Sequence, residues 1–141
     1  MKRLLALACA LLLASCGEPL SSARAQAERL KAIDSEIGLA LPASSVVLEY
    51  YEPQSMFNRL WVAKVRIPET SFAGLKETIL RKRDISKSTS DTSGLPESIS
   101  WWKPVDIEFT HEYEPGAGDL YVKVVASKES GERMLYIYGV P

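Results

Sequence analysis

Residues 120–140 read LYVKVVASKESGERMLYIYGV and predict two β-strands joined by a tight turn. Leu120, Val122 and Val124 recur at every second position, which is the period of a strand with one face in a core. Residues 134–140 form a second apolar run, and residues 129–132, Glu-Ser-Gly-Glu, have the length of a hairpin turn. The segment therefore predicts an antiparallel hairpin.

Three further segments share this two-residue period. Residues 46–51 and 60–67 predict an earlier hairpin, and residues 105–110 predict the strand that precedes the pair above. The side chains expected to share one face in each strand are, in chain order, Val46, Leu48 and Tyr50; Trp61, Ala63, Val65 and Ile67; and Val105, Ile107 and Phe109.

Two segments have the 3.6-residue period of helices that pack on one side. Ser21 or Ser22 can cap the first helix, and Gly38 stands where it would end. Thr70 or Ser71 can cap the second. The apolar side chains at helical spacing are Ala23, Ala27, Leu30, Ile33 and Ile37 in the first helix and Phe72, Leu75, Ile79 and Leu80 in the second.

The element order α-β-β-α-β-β-β predicts an α+β fold, in which a single antiparallel sheet of about five strands is packed by two helices. We assign residues 21–141 to one domain. Residues 84–98 are rich in serine and poor in apolar side chains, so we expect a mobile loop there. One helix on each sheet face would close the domain, whereas two helices on one face would leave the other face for binding.

The N-terminus has the layout of a secretory signal. Lys2 and Arg3 precede an uncharged apolar run, residues 4–14, that is too short to cross a bilayer. Residues 13–16, Leu-Ala-Ser-Cys, resemble the lipobox of bacterial lipoproteins. The resemblance implies a signal peptide at residues 1–15 and lipid attached to Cys16.

The residues after Cys16 extend this interpretation. Residues 16–20 form a short lipidated tether, so the domain would lie close to the bilayer surface. Gly17 stands where lipoproteins kept in the inner membrane carry aspartate. The resemblance therefore implies an anchor in the outer membrane facing the periplasm, or in the cell membrane of a bacterium that has only one.

Composition narrows the possible partners. Cleavage before Cys16 leaves 126 of the 141 residues, with 15 basic and 18 acidic side chains and a net charge of −3. A nucleic-acid partner is not expected, because that needs a concentrated basic surface. Cys9 lies in the leader, so the mature domain has no cysteine for a disulfide or a metal. We predict no cofactor and no metal.

Side chains for catalysis are scarce. His111 is the only histidine, and Glu112 beside it points to the opposite face of a strand. Asp106 and Glu108 share a strand face, which also suits two solvated acids. We expect His111 to be structural and the protein not to be an enzyme; a hydrolase that uses His111 is the weakest alternative.

Aromatic side chains provide the candidate binding residues. Two consecutive tryptophans before a strand are not expected to point into one core, so one indole should cover a loop or meet a partner. The sheet face that carries the tyrosines is more apolar than solvent usually allows, and we expect the N-terminal helix, a ligand or another protein to cover it. The candidate binding residues are Trp101, Trp102, Tyr121, Tyr136 and Tyr138.

A second resemblance rests on short motifs. Residues 41–45, Leu-Pro-Ala-Ser-Ser, the strand within residues 57–68, and residues 101–104, Trp-Trp-Lys-Pro, resemble a group of small exported bacterial proteins with a Trp-Trp-x-Pro motif. Several such proteins look like immunity partners of antibacterial toxins. The resemblance brings no catalytic residues.

Together these features predict a lipid-anchored, non-enzymatic protein-binding module of the periplasm. An immunity protein and a scaffold for envelope assembly are two versions of this hypothesis. The alternative is a lipoprotein that binds a small molecule or a lipid between sheet and helix.

Replacing the lipidated cysteine tests the predicted anchor. Cys16→Ser should abolish incorporation of labelled palmitate and release the protein from the membrane fraction, because the thiol is the attachment atom. Cys9→Ser is the matched control and should keep the label, since the leader is removed. Equal labelling of the wild type and Cys16→Ser would contradict the prediction.

Overall fold

The computed structural model describes residues 22–53, 60–85, 99–116 and 120–140. Cys16, the signal peptide, the tether and residues 86–98 of the predicted loop lie outside the described residues. The fold is α+β and has the predicted order α-β-β-α-β-β-β. Its elements are α1 (Ala23–Ile37), β1 (Val46–Tyr51), β2 (Trp61–Ile67), α2 (Glu69–Arg81), β3 (Ile107–Tyr113), β4 (Tyr121–Glu129) and β5 (Glu132–Val140).

The five strands form one antiparallel sheet in the order β1-β2-β5-β4-β3. Strands that follow one another with a short connection are neighbours in the sheet, as the sequence predicts. These pairs are β1 with β2, β3 with β4, and β4 with β5. The last strand lies at the centre, because β5 pairs with β2 from Trp61↔Gly139 to Ile67↔Arg133. The connection through α2 therefore carries the chain from β2 past β5 and β4 to the far edge.

Helix α1 begins and ends where its sequence predicts. The side chain of Ser22 accepts a hydrogen bond from the backbone N of Ala25 at 3.1 Å, which satisfies one of the free N–H groups of the first turn. Gly38 has a φ of 62°, a left-handed conformation that favours glycine and ends the helix.

Helix α2 begins earlier than predicted. Its cap is Pro68, with no side-chain hydrogen bond, rather than Thr70 or Ser71. The backbone N of Ser71 donates to the carbonyl of Pro68 at 3.0 Å, so the chain already turns at the proline, whose ring fixes φ near the helical value. Leu80, expected on the packed side, is exposed.

Both helices pack on the same face of the sheet. Of the two arrangements that the sequence allows, the structure has two helices on one face rather than one helix on each. The face opposite the helices therefore needs a different cover. The buried side chains of the helix-side core are Leu30, Ile33, Ile37, Leu39, Leu41, Val47, Trp61, Ala63, Val65, Ile67, Phe72, Leu75, Ile79, Tyr113, Val122, Val124, Ala126, Leu135 and Ile137.

A bulge in β1 breaks its predicted alternation. The pairing with β2 shifts between Val47 and Glu49, which leaves Leu48 as the extra residue. Val47 and Tyr50 consequently face the helices, and Leu48 is exposed. The prediction that Val46, Leu48 and Tyr50 share one face is wrong for this reason.

A second bulge changes the start of β3. Its pairing with β4 shifts between Ile107 and Phe109, and Asp106 has a φ of 45°. Phe109 packs against the core, whereas Val105 and Ile107 are exposed. The expected face of Val105, Ile107 and Phe109 is therefore not formed. Asp106 precedes the strand, so it does not share a strand face with Glu108.

Two glycines offer a matched test of this packing. A Cβ added at Gly139 would lie 2.5 Å from Cε2 of Trp61, whereas nothing lies within 4 Å of a Cβ added at Gly74 in α2. Gly139→Ala should lower the free energy of unfolding by about 1–3 kcal/mol through overpacking. Gly74→Ala should raise it by up to about 1 kcal/mol through helix propensity. Urea unfolding measures both; equal effects would contradict the packing.

Candidate functional site

We refer to the sheet face turned away from both helices as the second face. A turn at residues 99–102 covers it: the backbone N of Trp102 donates to the carbonyl of Ile99 at 3.1 Å, and that of Lys103 donates to the carbonyl of Trp101 at 2.9 Å. Ile99 is buried on the second face. The expected cover was the N-terminal helix or a partner, but the chain supplies this part of the cover from residues 99–102.

Both tryptophans pack onto the second face. Their ring centroids are 6.1 Å apart, and the ring of Trp102 meets that of Tyr136 edge-on at 5.3 Å. The turn allows this, because consecutive residues in a tight turn need not point to opposite sides as they do in a strand. Neither indole is fully buried, so the expectation that one of them covers a loop or meets a partner stays a prediction.

The five candidate binding residues differ in access to solvent. Trp101, Trp102 and Tyr121 are half-buried. Tyr138 is 8% exposed and Tyr136 is 1% exposed. The first three can contact a partner as the structure stands, whereas Tyr136 and Tyr138 act as the platform beneath them.

The accessible aromatic residues form part of a larger apolar surface. Tyr121 meets Tyr138 edge-on at 6.4 Å, and Leu60 and Val140 pack in the same cluster as the two tryptophans. We call the half-buried residues of this cluster the aromatic surface. It consists of Leu60, Trp101, Trp102, Tyr121 and Val140.

A polar network lies on the second face beside the indoles. The Lys64 Nζ is 2.6 Å from the Glu129 Oε2, and both side chains are mostly buried. The hydroxyl of Tyr136 donates to the same carboxylate, and that of Ser127 lies 3.4 Å from it. The network fixes the ring against which Trp102 packs.

Sequence reasoning missed this network. The sequence predicts only a turn at Glu129, and Lys64 lies between the core residues Ala63 and Val65 of a predicted strand. The four residues come from three strands, and they meet because β2 lies next to β5. The two-residue period of each strand predicts which face Lys64 and Tyr136 occupy. It does not predict that their strands, β2 and β5, are neighbours in the sheet.

The network sets the charge states of its members. Burial alone would raise the pKa of Glu129, but hydrogen bonds from Lys64 and Tyr136 hold it below its usual value. Burial alone would lower the pKa of Lys64, but the bond to Glu129 raises it. Burial, together with the Glu129 carboxylate, raises the pKa of the Tyr136 hydroxyl. An ammonium and a carboxylate are thus both retained on the second face.

His111 lies on the other side of the sheet. It is buried, and its Nε2 donates to the carbonyl of Lys82 at 3.0 Å, which secures the end of α2 against β3. Glu112 points to the opposite face and pairs with Lys123 at 3.1 Å. This geometry gives His111 a structural contact and leaves the hydrolase hypothesis without a solvent-accessible imidazole.

Two surface clefts adjoin the N-terminal end of α2, with volumes of about 300 and about 510 Å³. Both include Arg133 and Glu69, whose Nε and Oε2 atoms are 2.9 Å apart. Arg133 also pairs with Glu108 and lies over the ring of Phe72. Arg133 is therefore already paired with two carboxylates in these clefts.

Within the described ranges, no group of three or more His, Cys, Asp and Glu side chains is placed to hold a metal ion. No helix among the same residues has the length and apolarity needed to cross a membrane. Comparison with protein-family models, with curated proteins and with solved structures gave no match.

The low pKa of Glu129 predicts a pH-dependent contribution to stability. A carboxylate whose folded pKa lies below its unfolded value near 4.5 stabilises the protein above that pH, and the contribution is lost as the pH falls through the folded pKa. Glu129→Gln should therefore lower the free energy of unfolding by about 1–3 kcal/mol at neutral pH. The difference from wild type should shrink in acid.

Urea titrations across this pH range measure the effect. Glu28→Gln is the control, because its exposed pair with Arg24 on α1 should contribute little at any pH. A deficit that is constant between neutral pH and acid would contradict the role of the Glu129 charge.

Proposed function

We propose that this protein is a lipid-anchored, non-enzymatic module of the bacterial envelope that binds another protein in the periplasm. The observation that carries the proposal is the pair of half-buried indoles held side by side on the sheet face opposite both helices. Large aromatic side chains at the surface are characteristic of binding hot spots. The contact is made by the aromatic surface.

The layer beneath the aromatic surface favours recognition by a rigid platform. Trp102 rests on Tyr136, and the hydroxyl of Tyr136 is held by Glu129. Lys64 closes the network from the neighbouring strand. Because these side chains are ordered before binding, little conformational entropy is lost when a partner docks.

The lipobox resemblance supplies the location. Cys16 would carry the lipid, and the chain would be held at the outer membrane facing the periplasm, or at the cell membrane where there is only one. Toxin neutralisation by blocking an active site and a scaffold for envelope assembly are two versions of the same binding role. In both, the partner is a protein and neither metal nor cofactor takes part.

The alternative is binding of a small molecule, for which the cleft of about 510 Å³ between α2 and the sheet is the candidate site. The ion pairs of Arg133 with Glu69 and Glu108 across this cleft suit a polar ligand better than a lipid tail. Native mass spectrometry of the purified protein distinguishes small-molecule binding from protein binding, because a retained ligand mass would favour small-molecule binding.

Photo-crosslinking tests the protein-binding proposal. A photo-reactive phenylalanine derivative in place of Tyr121 should give a discrete protein adduct in intact cells, because this side chain belongs to the aromatic surface. The same replacement at Leu80 is the control. Leu80 is exposed on α2, which packs on the opposite face of the sheet, and should give no such adduct.

The tryptophans provide the second arm of this experiment. Trp101→Ala with Trp102→Ala should remove the adduct formed at position 121. Because Trp102 also covers Tyr136, urea unfolding must show that the double variant remains folded under the crosslinking conditions. An adduct that survives in the folded double variant, or equal adducts from positions 121 and 80, would count against the proposal.

A further inference from the structure

An apolar and basic patch lies at the start of β3, outside the aromatic surface. Val105 is 53% exposed and Ile107 is 55% exposed. Lys103 precedes them and is exposed, as is Lys128, whose backbone N donates to the carbonyl of Asp106 at 3.3 Å. Val105 and Ile107, with Lys103 and Lys128, form what we call the end patch.

The pairing register places the end patch along the sheet. One row of paired residues crosses all five strands, from Val46 in β1 to Ile107 in β3 through Arg66, Met134 and Ser127. Four strand spacings make this row about 19 Å long. Val46 and Ile107 therefore lie at the same end of the sheet, on opposite edges.

The first turn of α1 lies near this end. The Gln26 side chain accepts a hydrogen bond from the backbone N of Val47 at 3.1 Å, which fixes the helix beside the start of β1. Ser22, the helix cap, is one turn away, or about 6 Å along the axis.

The chain between the cap and the proposed lipid is short. Only five residues separate Ser22 from Cys16, so the lipidated residue lies within about 20 Å of the cap even when the segment is fully extended. An anchor at Cys16 therefore holds this end of the sheet near the bilayer.

We infer that the end patch rests on the membrane that holds the anchor, with Val105 and Ile107 between lipid headgroups and the two lysines on lipid phosphates. Aliphatic side chains flanked by cations suit the bilayer interface, where apolar burial adds to attraction by anionic lipids. Asp106 lies within the patch, Glu108 beside Ile107 pairs with Arg133, and Glu69 lies near Lys128. The two lysines must outweigh these acidic charges. The inference rests on the proposed acylation of Cys16.

Lipid-borne quenchers test the inference on the full lipidated chain. Removal of Cys9 and acylation of Cys16 leave an introduced cysteine as the only thiol available for a fluorophore. Val105→Cys and Ile107→Cys place the fluorophore in the patch. Leu80→Cys is the matched control, because Leu80 is 48% exposed and lies in the last turn of α2, away from the first turn of α1.

Each labelled protein is reconstituted into vesicles of phosphatidylethanolamine and phosphatidylglycerol that contain a nitroxide-labelled lipid. Quenching at positions 105 and 107 should exceed that at position 80 by about threefold or more, because only the patch contacts lipid. Charge reversal by Lys103→Glu with Lys128→Glu should reduce this excess.

Vesicle flotation of the same samples distinguishes failure of the end-patch inference from failure of the proposed acylation of Cys16. Protein that floats with equal quenching at all three positions overturns the inference and leaves the anchor intact. Protein that does not float overturns both. Crosslinking of positions 105 and 107 to a second copy or to another protein, without lipid quenching, would assign the patch to that occupant and would likewise overturn the inference.

Discussion

Strand β5 is buried on both of its faces, and each face must be covered by another part of the chain. Residues 134–139 are all buried, with Leu135 and Ile137 towards the helices and Tyr136 and Tyr138 towards the second face. The helices supply one cover and the turn at residues 99–102 contributes to the other. Because an uncovered central strand would expose a large apolar area, the position of β5 requires both covers.

Local sequence signals could predict the elements but not their neighbours. The period of two and the caps of α1 are properties of adjacent residues, and they are enough for the class and the order α-β-β-α-β-β-β. The pairing of β2 with β5 brings Trp61 next to Gly139, two residues that are far apart in the sequence, and no local pattern predicts this contact. The bulges at Leu48 and Glu108 were missed because apolar residues at alternate positions also fit a regular strand.

The candidate site likewise contains residues that the sequence can predict and residues whose role depends on the tertiary structure. Trp101, Trp102 and Tyr121 could be proposed from residue type, since clustered aromatic side chains are unusual outside a core or an interface. That Tyr136 lies beneath Trp102 depends on a turn and on the central position of β5, and the sequence shows neither. The link between Lys64 and Glu129 depends on the same strand order. Residue type thus identifies the accessible layer, and tertiary structure supplies the layer that orders it.

Trp102 belongs to the proposed binding surface and also covers Tyr136, and this second contact constrains the proposed docking. Its inner edge covers Tyr136, which is 1% exposed, so a partner that lifted the indole would also uncover the polar network. Exposing the apolar ring of Tyr136 and breaking its contact with Trp102 would cost free energy that a new contact must first offset. Binding to the outer side of the indoles avoids this cost. If the end patch faces the bilayer, the second face stands beside the membrane, and a partner would reach the aromatic surface from the side.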